Sequence, residues 1–339
     1  MLKLLWQKKV FIIFLAFLVV LLPISMSKQA GMLEKTIVLS IGIDKVNNEY
    51  LVVVEANVND FDPFGARSAQ KLSAVGENIP TAIENLGRNR GQTISFSHTV
   101  LLVIGSGLAE ENVISHFDYF VNKTELSNNT TLLFTRANME EIMDVSIEAG
   151  DNRGGLLQQI AHFNQRNLAL QPTSIERFYT DYLRMGSSGV IPIVGLEDGV
   201  IKNTNTFAVF TNGAFNFELT QDESIALRFA DSKKSRSKIM VEGTPITIVN
   251  KRARTRISRD GVVRIRSRIS AQVDAINAPD NIARMLEHKI YADLMSALER
   301  IKEHDADYMQ YLDRIYAFHR RKADTNNFEF DVDIRVNLV

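Results

Sequence analysis

The sequence predicts an α+β protein of more than one domain, with mixed β-sheets packed against helices behind one N-terminal transmembrane or signal helix. Three observations lead to this fold class. An apolar run stands near the N-terminus, strand and helix patterns alternate through the first half, and the last third combines strand-rich segments with two helices. Hydrophobic residues make up 45% of the chain, which is enough for a sizeable core.

The apolar run covers residues 10–26, VFIIFLAFLVVLLPISM, with three lysines before it and one just after it. Its length lies between that of a signal-peptide core and that of a membrane-spanning helix, which needs about 17–25 such residues. The positive flank favours a cytoplasmic N-terminus and an extracytoplasmic body. We expect residues 1–28 to form an uncleaved anchor, although the triplet at residues 25–27 also fits a cleavage site. The anchor residues are Val10, Phe11, Ile12, Phe14, Leu15, Phe17, Leu18, Leu21 and Leu22.

Composition excludes several classes of function. The net charge is −1, so bulk electrostatics do not favour nucleic acid as a partner. The chain has no cysteine, which excludes disulfides, zinc–thiolate sites, a cysteine nucleophile and a lipid-modified cysteine. Gly105-Ser106-Gly107 precedes a helix, but Glu110 stands where a phosphate-binding loop has its third glycine, so a tight turn is predicted. We therefore expect no catalytic residue, no metal site, no cofactor and no enzyme activity.

Strand and helix patterns follow each other from residue 36 to residue 185. The apolar, β-branched segments 36–43 and 50–58 flank the turn sequence DKVNNE and predict an opening hairpin. Further strand patterns lie at residues 71–76, 93–105 and 132–136. Amphipathic patterns predict helices at residues 79–86, 108–120, 139–148, 154–167 and 174–185.

The second half begins after a segment of turn character. Residues 187–198, SSGVIPIVGLED, are rich in Gly and Pro, and we place a domain boundary close to Gly199. This divides the body into an N-terminal α+β domain, residues 29–199, and a C-terminal α+β domain, residues 200–339. Around Asn212-Gly213 the pattern predicts a hairpin. The remaining predicted elements are helices at 222–229, 280–300 and 306–319, strands within 245–269, and a half-buried strand at 328–336.

Four collinear phrases resemble the C subunits of bacterial spore germinant receptors, the Ger(x)C family. The first is IVLSIGIDKVNNEYLVVVEANV at residues 37–58, and the second is GENIPTAIENLGRNRGQTISFSHTVLLVIGSGLAEENV at residues 76–113. The third is TFAVFTNGAFNFELTQDES at residues 206–224, and the last is ADYMQYLDRIYAFHRRKADTNNFEFDVDIRVNL at residues 306–338. They follow in the family's order and extend from residue 37 to residue 338, almost the full length of the predicted body.

The resemblance implies a membrane-tethered outer subunit that acts with two integral membrane subunits sensing nutrients. We expect a non-catalytic, membrane-anchored extracytoplasmic protein that acts in spore germination through protein contacts, located at the spore inner membrane if it acts there. One departure from the family is the missing cysteine at the end of the signal sequence, so the apolar helix itself would be the anchor. The alternative is a free-standing extracytoplasmic solute-binding protein.

Alternating arginines in the C-terminal half form the most unusual pattern of the chain. They form two groups of three, one at alternate positions from 252 to 256 and one from 264 to 268, and each group lies on one face of a strand. A two-residue turn would scatter the charges over both faces, whereas a three-residue loop, 259–261 with Gly261 left-handed, pairs Arg256 with Arg264 and Arg254 with Arg266. The need to bury one apolar face selects the second register. The six arginines are Arg252, Arg254, Arg256, Arg264, Arg266 and Arg268.

Two interpretations of this aligned arginine surface stay open. It is either a solvated face whose arginines pair with carboxylates of neighbouring elements, or a dock for acidic lipid headgroups or an acidic partner subunit. Nucleic acid is disfavoured because no aromatic residues interleave the arginines.

Overall fold

Two β-sheets organise the part of the chain that this computed structural model describes, which is residues 35–57, 69–149, 155–167, 173–230, 237–275 and 278–339. The predicted anchor lies outside these ranges. No helix within them is long and apolar enough to cross a membrane.

The first sheet has nine strands in the order β3-β2-β1-β5-β6-β7-β8-β9, with the short β4 paired to β1. Its strands are β1 Lys35–Val46, β2 Glu49–Asn57, β3 Ala69–Gly76, β4 Thr93–Ser95, β5 Leu101–Gly105, β6 Thr131–Thr135, β7 Ser188–Glu197, β8 Val200–Thr211 and β9 Ala214–Leu219. The second sheet has the order β10-β11-β12-β13. Its strands are β10 Ser237–Val241, β11 Thr244–Ile257, β12 Val262–Val273 and β13 Glu329–Leu338.

The helices of the described ranges lie between these strands. They are α1 Ile79–Arg90, α2 Ser106–Ala109, α3 Val113–Lys123, α4 Met139–Glu148, α5 Leu156–Asn167, α6 Ile175–Tyr182, α7 Gln221–Ala226, α8 Ile282–Glu303 and α9 Tyr311–His319. Short 3₁₀ turns follow α7 at Leu227–Ala230 and precede β13 at Thr325–Asn327. The helix predicted at 108–120 is therefore interrupted, since α2 ends before Glu110 and α3 begins after its N-cap, Asn112.

Helices cover both faces of the first sheet. On one face, apolar side chains of α1, α3 and α6 share a core with β1, β2 and β5. On the other face, α4 and α5 pack on the same strands, with Met139, Ile142 and Leu157 fully buried. Because both faces are covered, the central strands are apolar on both sides, as in β5, where all five residues are buried. The predicted opening hairpin is confirmed, and Asn47 and Asn48 provide the positive φ angles of its turn.

Residues 187–198, expected as a turn segment, form the buried strand β7 instead. Pro192 is accommodated because the pairing of β7 with β8 shifts register between Pro192 and Val194, a bulge where the missing N–H does not break the ladder. Gly189 faces the ring of Phe178, and a Cβ there would lie 3.0 Å from the ring carbons. The Gly and Pro of this segment thus serve a bulge and a close packing contact inside a sheet.

Gly199 lies in the tight turn of the β7–β8 hairpin, with φ of 71°. The division expected there therefore falls within the first sheet, which continues to Leu219. The second sheet begins only at Ser237. Beyond this, Phe207, Val209 and Leu219 pack in one hydrophobic core with the second sheet and α8, so the strands after Gly199 belong to both halves of the molecule.

The second sheet carries its helices on one face. Leu286, Ile290 and Leu294 of α8 are buried against it, together with alternate residues of β11, β12 and β13. The chain returns through α8 and α9 to place β13 parallel to β12, with Val263 opposite Phe330. The predicted C-terminal strand is thus confirmed as an edge strand of this sheet.

The glycines of the turn after β5 are explained by close packing against the end of β1, so a phosphate-binding loop is not needed. The carboxylate of Asp44 accepts hydrogen bonds from the backbone N–H groups of Gly107 at 2.9 Å and Leu108 at 3.2 Å. These are the donors that a phosphate would use. A Cβ on Gly107 would lie 2.0 Å from the carbonyl oxygen of Lys45.

Replacing Gly107→Ala should therefore separate this turn from β1. We expect the free energy of unfolding to fall by about 3 kcal/mol, because the obstructing atom is backbone and cannot rotate away. Gly195→Ala is the matched control, since its Cβ would meet only Thr204 at 3.6 Å. Urea unfolding of both variants gives the comparison, and equal midpoints would contradict the packing described here.

A buried carboxylate joins the two halves near the start of α9. Asp307 is 1% exposed and accepts hydrogen bonds from the backbone N–H groups of Leu312 at 2.6 Å and Tyr311 at 2.9 Å. Gly186, in the loop before β7, packs so closely that a Cβ there would lie 3.0 Å from the Asp307 side chain. Burial raises the pKa of Asp307 to about 7, although these hydrogen bonds act in the opposite direction.

This raised pKa predicts a pH-dependent stability. The folded state keeps the Asp307 proton up to about pH 7, whereas the unfolded chain releases it near the ordinary value of 3.8. The free energy of unfolding should therefore fall as the pH rises through this interval, by up to about 4 kcal/mol from this group. Asp307→Asn should flatten the profile measured by urea unfolding from pH 4 to pH 7.5. Asp280→Asn, at an exposed position, should leave it unchanged.

Candidate functional site

The predicted arginine register is confirmed by the pairing of β11 with β12. Arg252 lies opposite Arg268, Arg254 opposite Arg266, and Arg256 opposite Arg264. All six side chains are exposed on one face of the second sheet, which we call the arginine face. The intervening residues of β12 point the other way and are buried.

The loop that fixes this register has three residues, as predicted. Gly261 adopts φ of 91°, a conformation that favours glycine, and Ser258 pairs with Val262 across the loop base at 2.9 Å. A Cβ on Gly261 would also lie 2.7 Å from the carbonyl oxygen of Asn327. Both the backbone angle and the space therefore require glycine at this position.

Two carboxylates of β13 neutralise part of the arginine face. Arg266 donates two hydrogen bonds to Asp331, each of 2.9 Å, in a bidentate arrangement. Arg264 Nε lies 3.5 Å from the same carboxylate, and Asp333 lies 3.8 Å from Arg266. The hydrogen bonds from Arg266 lower the pKa of Asp331 below its ordinary value. The interpretation of a face paired with neighbouring carboxylates is thus correct for Arg264 and Arg266.

The other four arginines form no such pairs. Arg252, Arg254, Arg256 and Arg268 make no ion pair with any residue that the structure describes. Opposite Arg268, β13 carries Arg335, which lies 3.5 Å from Asp333. Charge therefore changes across the sheet. β13 carries both signs, two of the three arginines of β12 have carboxylate partners, and the exposed charged residues of β11 are all arginines.

The arginines of β11, together with Arg268, offer many N–H donors and no acceptors on an exposed surface. Guanidinium groups match carboxylates in bidentate geometry, and a strand pair holds them at fixed spacing. Like charges directly opposite each other reduce the stability of the pairing, so the arrangement weakens the sheet that presents it. The face is suited to binding an acidic surface and has no group for covalent chemistry.

The role of Asp331 and Asp333 at this site was not predicted. The alternating pattern FEFDVDIRV does indicate that both carboxylates lie on one face of a strand. Their partners could not be derived, because the parallel register of β13 depends on how α8 and α9 return the chain to β12.

A buried carboxylate of the first sheet, away from the arginine face, has a structural role. Glu55 is 1% exposed and accepts hydrogen bonds from Ser40 Oγ at 2.6 Å, Gln158 Nε2 at 2.9 Å and Gly155 N at 3.0 Å. It thereby joins the start of α5 to the opening hairpin. Within these ranges, no three His, Asp or Glu side chains are grouped to hold a metal ion.

Comparisons with known proteins agree with the resemblance seen in the sequence. Residues 32–196 match the family described as spore germination protein N-terminal domain. The chain is 21% identical over 166 residues to YfkR of Bacillus subtilis (strain 168), whose name assigns it to spore germination. That alignment covers 46% of this chain and 42% of YfkR, so the chain matches less than half of its relative's length.

A solved structure shares the fold. The crystal structure of the GerBC protein superposes with a TM-score of 0.56 and 15% identity, covering 88% of this chain and 96% of GerBC. Such a similarity shows an α+β architecture common to both over nearly the whole of GerBC. The domain match assigns residues 32–196 to this spore germination family, and the similarity to GerBC shows a shared fold.

Proposed function

We propose that this protein is a non-catalytic subunit of a spore germinant-receptor-like complex, and that its arginine face contacts the integral membrane subunits. Residues 10–26 would hold the body on the extracytoplasmic side of the membrane, in the spore inner membrane when it acts in germination. The observation that carries the contact is the set of four arginines without a described carboxylate partner, Arg252, Arg254, Arg256 and Arg268, on a bare sheet face.

A protein surface fits this face better than a uniformly anionic one. The stripe of Asp331 and Asp333 beside the arginines would be repelled by a continuous layer of negative charge. A partner with carboxylates opposite β11 and a cation opposite β13 would match both stripes. Charge complementarity of this kind fixes the orientation of a contact and excludes wrong partners.

The alternative of a solute-binding protein is less well supported. Such a protein captures its ligand between domains that move relative to each other. Here Phe207, Val209 and Leu219 lie in one core with the second sheet, which opposes a hinge at Gly199.

If the arginines serve binding, removing one should stabilise the isolated protein. Arg252→Thr relieves its repulsion with Arg268, and we expect a gain of roughly 0.2–1 kcal/mol at low salt. The gain should shrink as salt screens the charges, which distinguishes it from the strand propensity of threonine. Arg266→Thr should lack this gain because it also loses the bidentate pair with Asp331. Urea unfolding at two salt concentrations measures both, and a salt-independent gain would contradict the repulsion.

The contact itself is tested by purification of the tagged full-length protein from membranes of sporulating cells. We expect two integral membrane subunits to co-purify with the wild type. Arg252→Gln with Arg254→Gln should reduce their recovery about tenfold at low salt, equivalent to about 1.4 kcal/mol of binding free energy. The loss arises because the partner's carboxylates would be left without guanidinium partners.

The matched control is Arg88→Gln with Arg90→Gln. These two exposed arginines lie at the end of α1, which packs on the first sheet. It removes the same charge and should leave recovery unchanged. Equal recovery with both double variants would refute the arginine face as the contact. Recovery of the protein alone from the soluble fraction would refute the receptor-subunit proposal itself.

A further inference from the structure

The end of α9 and the chain after it form the most exposed aromatic and basic segment of the described structure. Residues 316–322, YAFHRRK, are all exposed, with no carboxylate among them. Phe318 is 77% exposed and Tyr316 is 41% exposed. Arg320, Arg321 and Lys322 follow directly, so an exposed ring is followed in the sequence by three exposed cations.

The backbone presents this segment in a fixed conformation. α9 ends at His319, and Arg320 adopts the left-handed region with φ of 53°, donating its N–H to the carbonyl oxygen of Tyr316 at 2.8 Å. Glycine is the residue that this C-terminal position favours. An arginine there keeps a cation at the point where the chain turns, at the expense of backbone strain.

The segment packs against the loop of the arginine hairpin. His319 Nε2 lies 3.3 Å from the carbonyl oxygen of Ile257, and Arg321 lies 3.6 Å from Asp260. A polar cleft of about 700 Å³ beside them is lined by cations, among them Arg259 and Lys322, and by the carboxylates Asp260, Asp324 and Glu329. We call the surface of Tyr316, Phe318, Arg320, Arg321, Lys322 and Arg259 the basic tip.

The basic tip has uncompensated charge. Arg259, Arg320 and Lys322 make no ion pair with any described residue. The side chains that form the tip are all exposed, and the ring of Phe318 is the most exposed large apolar side chain among those described.

We propose that the basic tip docks on an anionic lipid surface, with Phe318 at the depth of the headgroups and the cations against lipid phosphates. Aromatic rings favour the membrane–water interface, and clustered Lys and Arg residues are attracted to anionic leaflets. A fluid surface receives a protruding ring without a preformed pocket. The contact goes beyond the proposed function, since it requires neither partner subunits nor a germinant.

The basic tip differs from the arginine face in the occupant it fits. It has an exposed ring that can insert, and the nearby carboxylates Asp260, Asp324 and Glu329 line the cleft, whereas segment 316–322 itself has none. The arginine face is flat, has no exposed ring between its arginines and carries Asp331 and Asp333. Lipid binding at one surface and protein binding at the other can therefore be tested separately.

The test places a fluorescent reporter at the tip of the full-length protein. Trp6 is the single tryptophan, so Trp6→Phe with Phe318→Trp gives one reporter at position 318. The protein is reconstituted into vesicles of equimolar phosphatidylglycerol and phosphatidylcholine, or of phosphatidylcholine alone, with brominated acyl chains as the quencher. We expect quenching by roughly half and a blue shift in the anionic vesicles only. The predicted anchor is common to both compositions, so the difference reports on the tip.

Two variants act as controls. Val46→Trp in the same Trp6→Phe background places the reporter at the β1–β2 turn, at the end of β1 opposite to Lys35, and should not be quenched. Arg320→Gly, added to the position 318 reporter, should reduce the quenching while raising the thermal unfolding midpoint, because it removes both a cation and the left-handed strain. A loss of contact accompanied by a gain in stability cannot come from misfolding.

Several outcomes would overturn the proposal. One is the absence of quenching at position 318 in anionic vesicles, and another is equal quenching in phosphatidylcholine. Equal quenching at position 46 would show non-specific adsorption. Protection of the position 318 reporter from aqueous iodide in native membranes, without protection in lipid vesicles, would assign the tip to a protein partner instead.

Discussion

The β11–β12 hairpin closes through residues 259–261, and the left-handed backbone of Gly261 sets the pairing of the two strands. A change of one residue in this loop would invert the faces of one strand relative to the other. Val263 and Ile265 would then turn outward, and alternate arginines would enter the core. The hydrophobic face of the sheet and the position of six positive charges therefore depend on the same turn, as does the contact of the loop with Asn327.

The charge on this sheet is unevenly compensated, and topology is the reason. β13 enters next to β12, so its carboxylates reach Arg264 and Arg266 but are too distant for the arginines of β11. The other edge of the sheet holds β10, which pairs only with residues 244–248 of β11. The exposed arginines of β11 beyond that point keep their positive charge without a carboxylate partner among the described residues. A protein optimised only for stability would not place like charges opposite each other in this way.

The local features of this fold could be predicted from the sequence, because they depend on neighbouring residues. The Asn47-Asn48 and Asn212-Gly213 hairpins and the three-residue arginine loop belong to this class. β7 could not be predicted, because Pro192 and Gly189 are tolerated only through a bulge and a contact with Phe178. The pairing of Arg266 with Asp331 joins residues far apart in the chain and follows from the packing of α8. The position of 316–322 beside residues 257–260 has the same origin.

The shared core of the two sheets has a mechanical meaning. Phe207, Val209 and Leu219 lie in β8 and β9, which are continuous with the first sheet, and also pack on the second. Asp307 and Gly186 make a second point of attachment between the halves. A force applied at the arginine face therefore cannot be absorbed by bending at a linker. The two halves would instead rotate together, and a small displacement at the arginine face would become a larger one at the opposite end of the first sheet.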